Sequence, residues 1–130
     1  MRLLLDTHIW IWARADTARI RPDIAAALQE QSHLWLSPVT IWEAINLFDS
    51  GKLVPPEDPI ACVRRWLEEM PIRDAPFNRE VAIMSRRIRI ATNDPADRFL
   101  AATAIVHDLT LVTADRHLID CKEVPTLANR

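Results

Sequence analysis

The chain has 130 residues, of which 49% are hydrophobic and 26% charged, and its formal net charge at pH 7 is −2. This length and balance predict one globular domain, residues 1–130. A net charge so close to zero excludes a protein that grips nucleic acid through a broad positive surface, so any such contact must rely on metal ions and local arginines.

Short and long apolar segments alternate along the first half of the chain, as expected where strands alternate with helices. Three leucines predict a buried strand that ends at Asp6. Further on, Ser37-Pro38 predicts a helix start, because serine caps the first turn and proline tolerates its first position. In order, the predicted elements are strand 3–5, helix 8–13, helix 22–31, strand 34–36 and a helix from 38 that Gly51 ends.

The second half repeats this alternation. Asp58-Pro59 and Asp94-Pro95 predict two further helix starts, and an apolar strand leads to Asp115. Strands that alternate with helices indicate an α/β fold with a parallel sheet. The predicted elements are helix 58–70, strand 71–73, helix 78–88, helix 94–107, strand 109–113 and a last strand at about 123–126.

Four carboxylates fall at the positions where an α/β fold places its ligands. Asp6 and Asp115 follow predicted strands, whereas Glu43 and Asp97 lie in early turns of predicted helices. Ligand sites of open parallel sheets gather beyond the carboxyl ends of the strands. All four side chains can therefore project toward one edge of the sheet.

The helix that carries Asp97 has small residues on the same face. Ala101 and Ala104 follow Asp97 by four and seven positions, so they lie below it on one side of the helix. Small side chains there would let the helix approach the sheet closely and bring Asp97 toward Asp6. An ordinary tight helix–sheet contact would give the same pattern.

Each of these acids also has a purely structural interpretation. Asp97 in a first helical turn would stabilise the helix dipole by ~0.3–1 kcal/mol, and Asp94 is most simply the helix cap. Glu43 can be a solvated helix residue, and Asp115 can start a turn. Asp6 is hardest to explain in this way, because a carboxylate directly after a three-leucine strand, without a neighbouring base, is costly to bury.

If the carboxylates converge, a cation has to offset them. Carboxylates within ~4–6 Å raise one another's pKa unless a positive charge is near. A site made only of oxygen donors selects Mg²⁺ or Mn²⁺, with water and substrate phosphate in the remaining positions. Such a site favours phosphodiester hydrolysis by an activated water, without a side-chain nucleophile.

Four segments share their order and spacing with a known family. They are LLDTH at residues 4–8, SPVTIWE at 37–43, DPADRFLAATA at 94–104 and LTLVTAD at 109–115. This set resembles the PIN-domain family, and within it the VapC-type toxins of bacterial and archaeal toxin–antitoxin pairs. The resemblance spans residues 2–126; each segment is weak alone, but the ordered set is specific.

The resemblance implies a three-layer α/β/α fold around a central, mostly parallel sheet of four to five short strands, with an endoribonuclease site. Four catalytic residues would bind one or two Mg²⁺ or Mn²⁺ ions: Asp6, Glu43, Asp97 and Asp115. Neighbours would orient these carboxylates or water: Thr7, Ser37, Asp94 and Thr113. Arg98 would contact RNA or brace the acids.

The resemblance also implies partners. They are an RNA substrate, a cognate antitoxin that inserts a segment near the acids, and a second copy of the chain in a homodimer or in a larger toxin–antitoxin assembly. Five tryptophans exceed the usual share, and interfaces favour tryptophan, although most should fill the core. Trp10 and Trp12 cannot face one direction on a helix, so at least one is an interface candidate.

Two other functions stay open. A non-catalytic module of the same fold would sequester a partner peptide, and the loss of one acid would favour it. A nuclease directed at DNA would use the same acids, since the site chemistry does not distinguish the sugars. An aspartyl-phosphate mechanism at Asp6 is disfavoured, because Asp6-Thr7-His8 lacks the second aspartate that this chemistry needs.

The sequence carries no signal for export or membrane insertion. No apolar run approaches the ~18 residues needed to span a membrane, and Asp6 interrupts the N-terminal apolar run too early for a signal peptide. Cys62 and Cys121 lack the paired spacing of a zinc site. We expect a cytoplasmic protein with two reduced thiols and no membrane contact.

Overall fold

A five-stranded sheet forms the centre of the fold in the computed structural model, which describes residues 1–30 and 33–130. All neighbouring strands are parallel, in the order β3-β2-β1-β4-β5. The strands are β1 (Leu3–Leu5), β2 (Leu34–Leu36), β3 (Arg73–Asp74), β4 (Thr110–Thr113) and β5 (Thr126–Ala128).

Helices cover both faces of the sheet and complete a three-layer α/β/α architecture, as predicted. None of the helices in the described ranges is long and apolar enough to cross a membrane. The helices are α1 (Thr7–Ala15), α2 (Pro22–Glu30), α3 (Pro38–Asp49), α4 (Pro59–Glu69), α5 (Arg79–Arg87), α6 (Pro95–Val106) and α7 (Arg116–Ile119), with a 3₁₀ turn at Thr17–Arg19.

Three helices begin with a side-chain cap followed by proline, as the sequence predicts. Ser37 accepts a hydrogen bond from the Val39 N–H at 3.1 Å, and Asp58 accepts one from the Ala61 N–H at 3.1 Å. Asp94 caps α6 through the N–H of the residue that follows its proline, at 3.0 Å. These local signals fix where α3, α4 and α6 start.

Several predicted boundaries were wrong. The last strand begins at Thr126 rather than near residue 123, because Pro125 has no N–H and joins the ladder only through its carbonyl, which accepts from Leu111 N–H at 2.9 Å. Helix α7 and the 3₁₀ turn were not predicted; both are shorter than an apolar period can reveal. α3 ends two residues before Gly51, whose φ is +81°. The predicted last residue of α2, Gln31, lies outside the described residues.

Strand β1 is the centre of the core. Its three leucines are 0% exposed, and successive side chains point to opposite faces of the sheet. Leu3 and Leu5 join a cluster with Trp10 and Trp66, whose rings meet edge to face at 5.5 Å. Both faces of the strand are therefore packed, which explains its unbroken apolar run.

On the other face, Leu4 packs in a cluster that holds the small residues of α6. Ala101 and Ala104 are both 0% exposed in this cluster. The close approach predicted for α6 is thus present, and it carries the first turn of α6 to the edge of the sheet where β1 ends.

We expect Ala101→Leu to lower the free energy of unfolding by ~1–3 kcal/mol, because the contact between α6 and β1 leaves no room for three more carbon atoms. Urea denaturation would measure the change. Ala61→Leu on α4, where the side chain is exposed, is the matched control and should change stability by less than about 0.5 kcal/mol. Equal effects of the two substitutions would contradict the close packing.

Candidate active site

An open cleft of about 350 Å³ lies at the carboxyl edge of the sheet and brings together the four acids singled out in the sequence. Asp94 joins them, so five carboxylates line the same space, and none of the described lining residues is a lysine or an arginine. The lining residues are Asp6, Thr7, His8, Trp12, Glu43, Asp94, Asp97, Ala114 and Asp115.

The parallel sheet places two of the acids. Leu5 of β1 pairs with Val112 of β4, so the carboxyl ends of these two strands adjoin. Asp6 follows directly after β1, and Asp115 follows β4 after one further residue, Ala114. The other two acids come from the early turns of α3 and α6, the helices whose starts are fixed by a cap and a proline.

Asp6 is the most deeply buried of the acids, at 7% exposed. Its Oδ2 accepts a hydrogen bond from Thr113 Oγ1 at 2.6 Å, and its Oδ1 accepts from Thr7 N–H at 2.7 Å. Burial raises the pKa of Asp6, whereas these two hydrogen bonds lower it. Thr113 Oγ1 also accepts from Asp115 N–H at 3.0 Å, so this hydroxyl connects the two acids that follow neighbouring strands.

Glu43 is held by the other threonine predicted to orient the acids. Thr7 Oγ1 donates to Glu43 Oε1 and also contacts Thr40 Oγ1 at 3.4 Å. Burial raises the pKa of Glu43, the Thr7 hydrogen bond lowers it, and the charges of Asp6 and Asp94 raise it further. Thr7, the first residue of α1, thus positions two carboxylates: its N–H holds Asp6 and its hydroxyl holds Glu43.

Asp97 has the most unfavourable surroundings for a negative charge. Burial, followed by the charges of Asp115, Asp94, Asp6 and Glu43, raises the pKa of Asp97 to about 7. Among the described residues, no hydrogen bond reaches this carboxylate, whereas the other four acids each accept at least one. The carboxylate oxygens of Asp97 are therefore available to bind a cation or water in the cleft.

The remaining predicted residues divide into caps and braces. Ser37 is fully buried and caps α3, and it does not line the cleft. Asp94 is the cap of α6, as predicted, and also lines the cleft. The guanidinium of Arg98 donates to the carbonyls of Ser85, Thr92 and Ile88 at 2.9–3.2 Å, so it ties the end of α5 and the following loop to α6. We therefore do not retain Arg98 as an RNA contact.

The donor set fits a hard divalent cation. Carboxylate oxygens gathered without a lysine or arginine among the described lining residues are the ligands that Mg²⁺ and Mn²⁺ select. Within the described ranges, however, no three His, Cys, Asp or Glu side chains form a tight ligand group of their own. The cleft thus suits an ion that keeps several waters and touches one or two carboxylates directly, which is how Mg²⁺ is usually held.

Besides Ala114, two lining residues were not predicted as part of the site: His8, and Trp12, which was considered only as an interface candidate. They are four positions apart, so both project from one face of α1, and their rings lie 5.7 Å apart. This spacing was the available signal, although it indicates only that the two side chains share a face, not that the face borders the acids.

Comparison with known proteins identifies the domain family that the chain matches. The sequence profile of the PIN domain matches residues 3–124. Ribonuclease VapC22 of Mycobacterium tuberculosis is 28% identical over 122 residues, covering 89% of this chain and 88% of that protein.

Solved structures of toxin–antitoxin complexes share the fold. The DNA-bound VapBC of Salmonella typhimurium matches with a TM-score of 0.72 and 21% identity, covering 100% of this chain and 99% of that chain. VapBC2 of Rickettsia felis, bound to a promoter DNA fragment, matches with a TM-score of 0.72 and 18% identity, covering 98% of both chains.

We expect Asp97→Asn to stabilise the metal-free protein at pH 7.5 by ~1–2 kcal/mol, a value reduced for the partial exposure of the site. Between about pH 4 and 7 the folded chain holds a proton on Asp97 that the unfolded chain releases, so the free energy of unfolding falls as the pH rises through this window. The variant lacks that dependence and should match the wild type near pH 4. Urea titrations in a chelator at several pH values would measure both effects.

Glu68→Gln is the matched control for this measurement, since Glu68 is an exposed carboxylate on α4, away from the cleft. It should leave the slope of stability against pH unchanged. If Asp97→Asn destabilises the metal-free protein at pH 7.5, the carboxylates do not repel one another as described.

Proposed function

The chain belongs to the PIN domain family, and on that premise we propose that it is a metal-dependent endoribonuclease that acts as the toxin of a type II toxin–antitoxin system. One observation carries the proposal: acids separated by up to 109 positions of sequence line a single cleft, and in the part of the chain that the structure describes no lysine or arginine lines it with them. The ribonuclease named above and the toxin–antitoxin complexes that share the fold support the same reading.

The reaction proposed is hydrolysis of an RNA phosphodiester. A water oxygen adds to phosphorus, the bond from phosphorus to one ribose oxygen breaks, and that oxygen leaves with a proton. The chemistry that a bound Mg²⁺ or Mn²⁺ supplies is activation of the water and neutralisation of charge on the phosphate. The side chains need not supply a nucleophile.

The residues of the chain hold and orient the reacting groups. Asp6, Glu43, Asp97 and Asp115 would bind the ion, directly or through water, because all four line the cleft. The burial of the first three disfavours their negative charge when no cation is near. The hydroxyl of Thr7 holds Glu43. The hydroxyl of Thr113 holds Asp6 and also accepts a hydrogen bond from the N–H of Asp115. These hydrogen bonds hold carboxylate oxygens in place before the substrate arrives, which lowers the free energy of reorganisation.

Two protein partners follow from the proposal. One is a cognate antitoxin, since the solved structures that share the fold are VapBC complexes. As the resemblance to VapC-type toxins implies, the antitoxin would cover the acidic cleft. A second copy of the chain would form a homodimer. Of the tryptophans, Trp10 and Trp66 are buried, but Trp42 is 65% exposed and borders an apolar hollow. The hollow is lined by Val39, Trp42, Pro95, Ala96 and Phe99.

We expect purified protein to cleave single-stranded RNA in the presence of Mn²⁺, and Asp6→Asn and Asp97→Asn to reduce the rate on the order of 100-fold each. The reason is that each substitution removes negative charge from the ion site while preserving side-chain volume. Denaturing gels of a labelled RNA, with and without a chelator, would measure the rates. Glu68→Gln is the control and should cleave like the wild type.

A binding readout separates this function from its alternatives. Mn²⁺ should raise the melting temperature of the wild type but not of Asp97→Asn. If the acid variants remain toxic when expressed in cells, the non-catalytic module is the better reading. Faster cleavage of DNA than of RNA of the same sequence would favour the DNA-directed nuclease.

We expect the wild-type chain to be a dimer at micromolar concentration and Trp42→Glu to shift it toward monomer. A charge placed in an apolar contact has to be desolvated, and the tryptophan anchors such a contact. Light scattering after gel filtration would report the mass, and circular dichroism would show that the variant is folded. Trp42→Phe, which keeps an aromatic ring, should remain dimeric; a monomeric wild type would refute the dimer.

A further inference from the structure

A second cavity adjoins the acidic cleft and shares part of its wall. Its volume is about 370 Å³, and His8 and Trp12 line both spaces. The two spaces therefore adjoin at one face of α1, and the second is called here the basic cavity. Its apolar lining includes Ile11, Leu47 and Leu53.

The charge of the basic cavity is opposite to that of the cleft. Arg19 and Lys52 line it, against a single acid, Asp16. Both cations are exposed, and neither belongs to an ion pair in the part of the chain that the structure describes, where the paired cations are arginines 14, 21 and 65. Two unpaired cations within a chain of net charge −2 provide the kind of local positive charge that a polyanion requires.

The cavity also presents flat π surfaces. The guanidinium of Arg19 lies 4.9 Å from the centre of the Trp12 ring, and His8 approaches the same indole. Unpaired RNA bases stack on aromatic rings and on guanidinium planes. Because Arg19 lies over the Trp12 ring, a base would stack on the outer face of the guanidinium, with the indole behind it.

We propose that the basic cavity binds the unpaired nucleotide adjacent to the scissile phosphodiester, with its base against Trp12 and Arg19 and its outer phosphate at Arg19 and Lys52. The assignment rests on the proposed function, because it takes the scissile phosphate to lie in the acidic cleft. A cavity of about 370 Å³ has room for one nucleotide whose base is turned out of a helix. The substrate class is therefore single-stranded RNA.

The first test removes the two charges. Arg19→Gln/Lys52→Gln should raise KM for a single-stranded RNA roughly tenfold and reduce the slope of log affinity against log salt by about 1. Arg64→Gln/Arg79→Gln removes two exposed cations that line neither space, and should change neither quantity. Equal effects of the two double variants would overturn the proposal, since they would show only a general effect of charge.

The second test removes the nucleotide instead of the side chains. An RNA shortened stepwise on each side of the cleavage position should reach one length at which the wild type and the Arg19/Lys52 variant are cleaved with equal kcat/KM. Trp12→Leu should weaken binding of the full-length RNA several-fold without altering the salt slope, because it removes a ring and no charge. A loss that persists unchanged on every shortened RNA would overturn the proposal.

Binding measured apart from cleavage distinguishes this inference from the function on which it rests. Fluorescence anisotropy of a labelled RNA on Asp97→Asn protein, with and without the Arg19/Lys52 substitutions, needs no turnover. If the wild type cleaves no RNA but the two substitutions still weaken anisotropy binding, the cavity stands and the nuclease proposal fails. If acid-dependent cleavage is present but the substitutions weaken only the binding of a protein partner, the cavity belongs to that protein and our inference fails.

Discussion

Mutual repulsion among carboxylates at the carboxyl edge of the sheet is the constraint that explains most of this structure. Five acids share one cleft, and the pKa of Asp97 rises to about 7 through burial and through the charges of the other four. Such an arrangement lowers the stability of the folded chain at neutral pH. The fold tolerates it because the packing of β1 and α6 and the capped helix starts hold the acids in place without any attraction between them.

The hydroxyl groups around the cleft show how the repulsion is contained. Thr113 donates to Asp6, and Thr7 donates to Glu43, so two of the carboxylates are partly compensated by hydrogen bonds rather than by bases. A lysine or arginine in these positions would compensate the charge more fully, but it would compete with a metal ion for the same oxygens. Neutral donors keep the carboxylates ordered and leave their charge available.

Much of the fold and of the candidate site follows from local sequence signals. Pairs of a capping residue and a proline predicted the starts of α3, α4 and α6, and the run of leucines predicted β1. From these elements the sequence predicted that the four acids lie at one edge of the sheet. The four ordered segments that resemble the PIN-domain family led us to propose a ribonuclease rather than another function for these acids. Helix α7 was not predicted because four residues are too few to show a helical repeat of apolar positions. The start of β5 was predicted too early, because the sequence does not show that Pro125 pairs with β4 through its carbonyl alone. Arg98 donates hydrogen bonds to three carbonyls that only the fold brings together, so the sequence did not reveal that its guanidinium ties α5 and the following loop to α6.

The hydrogen bonds of Arg98 limit which substitutions at this position preserve the structure around the cleft. Its planar fork satisfies three carbonyls in different directions, a geometry that the single ammonium of lysine does not reproduce. Arg98 follows Asp97 directly in α6, so these hydrogen bonds hold the helix that carries the least compensated acid against the end of α5. Exchange of Arg98 for lysine would therefore weaken the support of the cleft while every acid remained, so the acids of a related sequence do not by themselves show that the cleft keeps its shape.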